Sequence, residues 1–223
     1  MNIALIVFAG SGKRAQTSIP KQFIKIKDNE LIIYTINKFQ NNPYIDEIIL
    51  VTSQDFFQYT ESLVEEYQLD KVKKIIVGGE TRQDSVRLGL EAMDYDEDDN
   101  IFIHDGDRPL VSNAIINQCV ETLKEYQAVC PILETSENYP EISASGRKIV
   151  LDNKAVDIQT PQCFKFGLIK QAHLLKMNEK VVDDISLVEN EVEVQFIQGE
   201  KDNFKVTKNE DLKFLEKLME SQQ

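Results

Sequence analysis

The chain has 223 residues, 42% of them apolar and 28% charged, an ordinary balance with enough material for a sizeable core. A net charge of −13 excludes a general nucleic-acid binder, because the phosphate backbone rewards dense Lys/Arg surfaces, yet leaves room for a few cations gathered in one pocket. No basic leader precedes a long apolar region, and no stretch approaches the roughly 20 apolar residues that cross a bilayer, so neither a targeting signal nor a membrane partner is expected.

In chain order, strand-like runs occur at Ile3–Phe8, Glu47–Thr52, Lys74–Val77, Asn100–His104, Ala128–Ile132, Val156–Ile158 and Val192–Ile197. Helical periodicity fills the intervals Glu30–Gln40, Phe56–Tyr67, Asp84–Ala92, Asn113–Tyr126, Lys165–Lys176, Ile185–Glu189 and Asp211–Met219. This alternation predicts an α/β fold with a mostly parallel sheet covered by helices on both faces, in a single domain spanning 1–223. Residues 134–154 are polar and rich in Ser, Glu and Asn, with "SASGRK" as a turn; they read as a loop or as an arm leaving the domain. The acidic run "DYDEDDN" before the fourth strand lacks EF-hand spacing and reads as a solvated loop. Cys119, Cys130 and Cys163 have no metal-type spacing and are expected as buried free thiols in a cytoplasmic protein.

Four clusters fall at predicted strand ends. In "VFAGSGKRAQTSIPKQF" an apolar strand stops at Ala9-Gly10-Ser11-Gly12, and Lys13, Arg14 and Lys21 follow. A glycine loop entering a helix presents backbone N–H groups to a phosphate, and the cations match its oxygens. The spacing is neither the dinucleotide fingerprint nor the P-loop, and a strand-to-helix turn with surface cations would look the same. "GGETRQDSV" places Gly78 and Gly79 after a strand, with Ser85 able either to cap the following helix or to contact a base or ribose. "IFIHDGDRP" delivers Asp105 to a strand end, where it suits Mg²⁺ or an ion pair with Arg108. "QGEKDNFKVT" carries Asp202 and Lys205 just past a late strand. Two carboxylates among several cations suit a magnesium–triphosphate site, and no nucleophile elbow is present.

Taken together, Ala-Gly-x-Gly-x-Arg-x₅-Pro-Lys-Gln, Gly-Gly-x-x-Arg-x-x-Ser-Val, His-Asp-x-x-Arg-Pro, Thr-Pro-Gln and Asp-Asn-x-Lys-Val-Thr, spanning residues 9 to 207 in order, resemble the polyol-phosphate cytidylyltransferases. The resemblance implies a Rossmann-like nucleotidyltransferase fold and a homodimer whose arms, here 134–154, cross between subunits. It implies transfer of CMP from CTP to a polyol phosphate with Mg²⁺, 2-C-methyl-D-erythritol 4-phosphate leading over ribitol 5-phosphate as acceptor. By motif match, Ala9, Gly10, Gly12, Arg14 and Lys21 fall on the triphosphate loop, and Gly79, Glu80 and Ser85 on the cytidine pocket. Asp105 and Asp202 match metal positions, Lys205 a phosphate-contacting lysine, and Arg108, Thr135 and Thr160 positions near the second substrate. The chain departs from the pattern at Asp107, where a small residue is usual, and at Val182, where threonine is usual. It also lacks the arm arginine before Thr-Pro-Gln, Lys154 being the nearest cation. A non-catalytic nucleotide-binding protein is the reading of a different class, and the joint presence of Arg14, Lys21, Asp105, Asp202 and Lys205 argues for an enzyme instead.

Overall fold

In a computed structural model that describes residues 1–10, 19–134, 142–143, 146–151, 154–176 and 181–221, strand β1 (Asn2–Val7) is apolar from Ile3 onward because both its faces are covered. Ala4, Ile6 and Phe8 enter one core, and Ile3, Leu5 and Val7 enter another. After β1 the chain forms a short hairpin, β2 (Lys25–Ile26) and β3 (Asn29–Glu30), then α1 (Leu31–Gln40), β4 (Glu47–Thr52), α2 (Phe57–Glu66), β5 (Val72–Val77), α3 (Arg82–Glu91), β6 (Asn100–Asp105) and α4 (Asn113–Thr122). It continues through β7 (Ala128–Glu134), β8 (Ile142–Ser143), β9 (Gly146–Leu151), β10 (Lys154–Ile158), β11 (Gln162–Lys165), α5 (Phe166–Leu175), β12 (Val194–Gln198) and α6 (Asn209–Ser221).

The main sheet runs β5-β4-β1-β6-β11-β7-β10-β9-β8, with β12 also paired to β7. β5, β4, β1 and β6 are mutually parallel, as are β7 and β12. Helices α1, α2 and α4 supply Ile33, Ile36, Leu63 and Ile116 to the first core, while α3 and α5 supply Val86, Leu90 and Ile169 to the second. The mixed α/β layering expected from the alternation is therefore present, and each of the seven predicted strands recurs within a few residues.

Three features differ from the expectation. The segment from Gln162 begins with β11, antiparallel to both β6 and β7, before α5 starts at Phe166. A four-residue strand whose first three residues are buried without alternation carries too little period to announce itself. Part of the polar segment 134–154 is sheet: β8 pairs antiparallel with β9, and β9 pairs with β10 in an antiparallel extension of the sheet. The predicted helix Ile185–Glu189 is a single 3-10 turn, Ile185–Leu187.

The chain leaves β1 toward β4 and β5 on one side and returns to β6 on the other, so the strand order reverses between β1 and β6. In an open α/β sheet such a reversal opens a crevice at the carboxyl ends of the strands. The loops there are packed tightly. A Cβ placed on Gly78 would lie 2.4 Å from the Cβ of Ala9 and 2.7 Å from Ser85 Oγ, so the β1 and β5 exits meet only because residue 78 has no side chain. At the end of β6, His104 is fully buried between Arg108 and Thr160. Its Nε2 lies 3.1 Å from the Arg108 carbonyl, which can only accept, so Nε2 carries the proton. Nδ1 then accepts from the Thr160 hydroxyl at 3.0 Å, and that hydroxyl oxygen in turn accepts the Asp105 N–H at 3.2 Å. Burial pushes the imidazole pKa down to about 4, against the stabilising Arg108 carbonyl, so the ring is neutral at pH 7.

Two outcomes follow from this packing. Gly78→Ala should lose about 1–3 kcal/mol of unfolding free energy in urea titrations, as overpacking of a closed contact does. A histidine whose folded pKa lies below its unfolded value takes up its proton on unfolding, so its contribution is complete above about pH 6.5 and is lost as pH falls toward 4. Between pH 7 and 4.5 this amounts to roughly 2–3 kcal/mol, and the His104→Gln variant should show that much less acid sensitivity in the same titrations.

Candidate active site

Asp105 ends β6 facing the crevice and is only 6% exposed. A carboxylate this buried stays ionised only where cations replace its water. Arg82 Nε donates to Oδ1 at 2.7 Å, Lys205 Nζ to Oδ2 at 2.8 Å, and Arg108 Nε lies 3.8 Å from Oδ2. Burial by itself would raise the Asp105 pKa; the combined field of Lys205, Arg82 and Arg108 outweighs it and holds the carboxyl well below the usual carboxylate range.

Arg82 reaches two carboxylates. Its Nη1 donates to Asp184 Oδ2 at 2.8 Å, while Asp184 Oδ1 sits 3.0 Å from His173 Nε2. Asp184 is itself held by its place in the chain, since Gln162 Oε1 accepts from the N–H groups of Asp184 and Ile185 at 2.8 and 2.9 Å. The buried Arg108 guanidinium donates to the Asn203 carbonyl at 2.7 Å, tying the β6 turn to the segment that carries Lys205. Beyond Lys205, the Asp211 carboxylate accepts the N–H groups of Thr207 and Lys208 at 2.7 and 2.8 Å and pins the start of α6.

Lys21 approaches from the other side. Its ammonium lies 2.6 Å from Asp107 Oδ2 and also donates to the Val206 carbonyl. The turn that carries it is anchored by Gln22, whose Nε2 donates to the Phe8 and Gly10 carbonyls at 2.7 and 2.8 Å. Phe23 next to it stacks on Phe56 at 4.5 Å and meets Phe8 edge-on at 6.0 Å. Lys21 is therefore fastened by its neighbours to the end of β1.

Arg82, Asp105, Arg108, Thr160, Asp183 and Lys205 line a small cleft, with Ile158, Gln162 and Val182 closing it. Of the expected site residues, Lys21, Asp105, Arg108, Thr160 and Lys205 come together here, joined by direct contacts or shared lining. Ala9 and Gly10 stand beside them at the β1 exit, and Gly79, Glu80 and Ser85 lie at the β5 exit. Ser85 does not cap α3. Thr81 is the N-cap, in a capping box with Asp84, so the helix begins at Arg82 rather than near Asp84. The Ser85 hydroxyl instead accepts from Gly79 N–H at 3.2 Å and donates to the Thr81 carbonyl at 2.9 Å, holding the glycine loop in shape.

Asp202 is exposed in the turn after Glu200 and contributes no side chain to the cleft lining. Gly12, Arg14 and Thr135 lie outside the described residues. Sequence reasoning passed over Arg82, Asp184, His173 and Gln162. Arg82 was visible as the arginine of "GGETRQDSV", whereas Asp184 meets it only through the fold, 102 positions later.

Comparison with known proteins adds a separate line. The family model for IspD, 2-C-methyl-D-erythritol 4-phosphate cytidylyltransferase, matches residues 2–221. The protein of that name from Clostridium novyi (strain NT) is 39% identical over 226 residues, covering 99% of this chain and 97% of its own. Its namesake from Clostridium perfringens (strain SM101 / Type A) is 39% identical over 215 residues, 94% of this chain and 95% of its own. Among solved structures, 4-diphosphocytidyl-2C-methyl-D-erythritol synthase from Anaerococcus prevotii superposes with a TM-score of 0.80 at 25% identity, over 98% of this chain and 96% of that one. The 2-C-methyl-D-erythritol 4-phosphate cytidylyltransferase of Francisella tularensis gives 0.78 at 28% identity, over 96% and 98%. With a motif set running through the whole chain and a carboxylate–cation cleft at the strand-order reversal, this chain belongs to the IspD family of cytidylyltransferases.

Proposed function

We propose that the protein transfers CMP from CTP to 2-C-methyl-D-erythritol 4-phosphate and releases pyrophosphate. The observation that carries the reading is the cleft itself. Lysines from residues 21 and 205 and arginines from residues 82 and 108 gather at the carboxyl end of β6, in a chain whose overall charge is −13. The relatives and structures named above all carry the methylerythritol name, so ribitol 5-phosphate is not retained as acceptor.

An oxygen of the acceptor's phosphate would attack the α-phosphorus of CTP, forming one P–O bond as the bond to the β-phosphate oxygen breaks and pyrophosphate leaves with the electron pair. The attacking oxygen is already anionic at neutral pH, so the protein has no proton to remove. Its task is to hold two anions together and stabilise the charge that spreads in the transition state. Lys21, with Arg14 and the backbone of Ala9, Gly10 and Gly12, would take the triphosphate, and Lys205 the α-phosphate. Gly79, Glu80 and Ser85 would frame the cytosine and ribose, while Arg108, Thr160 and the partner's arm, including Thr135, would receive the acceptor.

Mg²⁺ fits in a shared form. Among the described residues no three His, Cys, Asp or Glu side chains gather into a metal group, so Asp105 would supply one carboxylate and the triphosphate most of the remaining oxygens. When bound, the ion would neutralise triphosphate charge. Asp202, assigned to the metal by motif, would have to approach from its exposed turn.

No helix among the described residues is long and apolar enough to cross a membrane. All three cysteines are buried and free, which fits the reducing cytoplasm proposed for the protein. The 134–154 segment is proposed as the arm of a homodimer, exchanged so that each site takes Thr135 from its neighbour.

Purified protein given CTP, Mg²⁺ and 2-C-methyl-D-erythritol 4-phosphate should release pyrophosphate, with ribitol 5-phosphate and UTP much poorer; no release above background would overturn the assignment. Lys21→Ala should lower kcat by about 10²-fold or more with the fold intact, and near-normal turnover would remove Lys21 from the triphosphate. For the arm, light scattering should give twice the 25.6 kDa chain mass. Mixing inactive Lys21→Ala and Thr135→Ala proteins should restore activity, because one heterodimer site receives both lesions and the other neither; no recovery after verified subunit exchange would rule out the shared site.

A further inference from the structure

We infer that Asp107 is an internal stand-in for a substrate phosphate, holding Lys21 and Lys205 in place until the triphosphate displaces it. The inference rests on the proposed reading of the cleft as a triphosphate site and adds to it a residue that competes with the nucleotide.

The geometry is that of one anion gripped by two ammoniums. Asp107 Oδ2 lies 2.6 Å from Lys21 Nζ, and Oδ1 lies 3.8 Å from Lys205 Nζ. Oδ1 is buried and accepts no hydrogen bond, since 3.8 Å is beyond hydrogen-bond reach. A buried carboxylate oxygen left in that condition is costly, and it sits there because the charges of both lysines face it. Lys205 is meanwhile committed to Asp105 at 2.8 Å.

The backbone completes the device. The Asp107 carbonyl accepts the Val206 N–H at 2.9 Å, and Lys21 donates to the Val206 carbonyl. Asp107, Lys21 and Val206 thus form a closed ring linking the β6 turn, the segment after β1 and the segment beyond Lys205. In the free protein this ring keeps the long, rotamer-rich Lys21 side chain at a fixed position, as Asp105 does for Lys205, so their ordering is not left to the moment of binding. A phosphate bringing oxygens to the same two ammoniums sets its negative charge against a carboxylate that already lies 2.6 Å from Lys21. That repulsion drives the Asp107 side chain outward, and part of the nucleotide's binding energy is spent on the displacement.

Asp105 is the natural contrast. It too is bracketed by cations, but it is 9% exposed at the side chain and anchored by Arg82 and Lys205 at 2.7 and 2.8 Å, so it is built to stay. Asp107 has 16% side-chain exposure, lies on a turn and makes one close contact.

The test titrates wild type and Asp107→Asn with CTP and with inorganic pyrophosphate, both in EDTA so that metal ligation plays no part. Asp107→Asn should bind pyrophosphate about tenfold more tightly, the size expected when one anionic competitor is removed, and the Kd for CTP should fall in parallel. Its ligand-free melting temperature should drop, because Lys21 then loses its carboxylate partner. Asp107→Glu, which retains the charge, should stay near wild type, and the gain should largely vanish in a Lys21→Met background. Unchanged or weaker pyrophosphate affinity in folded Asp107→Asn would overturn the inference.

If that variant does not fold, the Asp107 carboxyl carbon of the wild type can be followed by NMR. It should shift when pyrophosphate is added, and a static resonance at saturation would count against displacement. The two readings fail separately. A wild type that turns over CTP with no effect of Asp107→Asn on affinity keeps the function and loses the stand-in. A wild type without turnover, whose Asp107→Asn variant still gains pyrophosphate affinity, does the reverse.

Discussion

The ionisation of Asp105 is the constraint around which the rest of the molecule is arranged. The carboxylate terminates a strand buried on both faces and has almost no access to water. It remains charged because Arg82 comes from the first turn of α3 and Lys205 from the segment after β12. A buried ion pair of this kind is a poor source of stability, since the desolvation of both partners offsets most of their attraction. What it provides is position. Three separate stretches of chain, β6 with its turn, the start of α3 and the segment after β12, have to be correctly placed for one carboxylate to be neutralised, and once they are, the cations of the cleft have few alternatives.

The same logic spreads outward in shells. Arg82 is held by Asp184, which is held by His173 and by the Gln162 side chain at the start of β11. Lys21 is held by a turn whose aromatic ring, Phe23, stacks among Phe8, Phe56 and Tyr59. Tyr59 and Tyr67 in turn donate to the buried Glu30 carboxylate at 2.6 and 3.1 Å, which pushes the Tyr59 hydroxyl up to about 12. Burial and the same carboxylate push Tyr67 to a similar value. The apolar packing fixes backbones, and the polar groups fix the tips of the long side chains. Lysine and arginine have the most rotamer freedom to lose, so they need this support more than the strands do.

Much of this was legible in the chain before folding. A run without a polar residue, Ile3 to Phe8, reads as a strand buried on both faces, and Asn2–Val7 is one, between two cores. The clusters at strand ends and their order through the chain pointed to a phosphate-handling crevice and to the family. Local period failed where an element is too short to have one, as at β11, or where a polar composition hid alternating pairs, as at β8 and β9. Ser85 stood open between capping α3 and contacting the nucleotide for another reason: Thr81, Asp84 and Ser85 all suit a cap by residue type, and only the fold shows that Thr81 takes that place. The partners of Arg82 could not be found from sequence, because nothing in residues 80–90 announces a carboxylate at position 184. Asp202 and Asp107 show the converse. Motif spacing favoured the first, whereas the geometry gathers the lysines around the second.

Arg82 occupies a position that helix chemistry disfavours. It stands in the first turn of α3, immediately after the Thr81 cap, where the exposed N–H groups make the helix end electropositive and an acidic side chain is worth several tenths of a kcal/mol more than a basic one. A stability-guided redesign scoring each helix by itself would therefore exchange this arginine for glutamate. In the assembled protein that exchange would set a third carboxylate against Asp105 and Asp184 and empty the cleft of the cation that joins them. The locally wrong charge is thus a marker of the site. A scan for residues that oppose their own helix dipole would have picked out Arg82 with no knowledge of what the cleft binds.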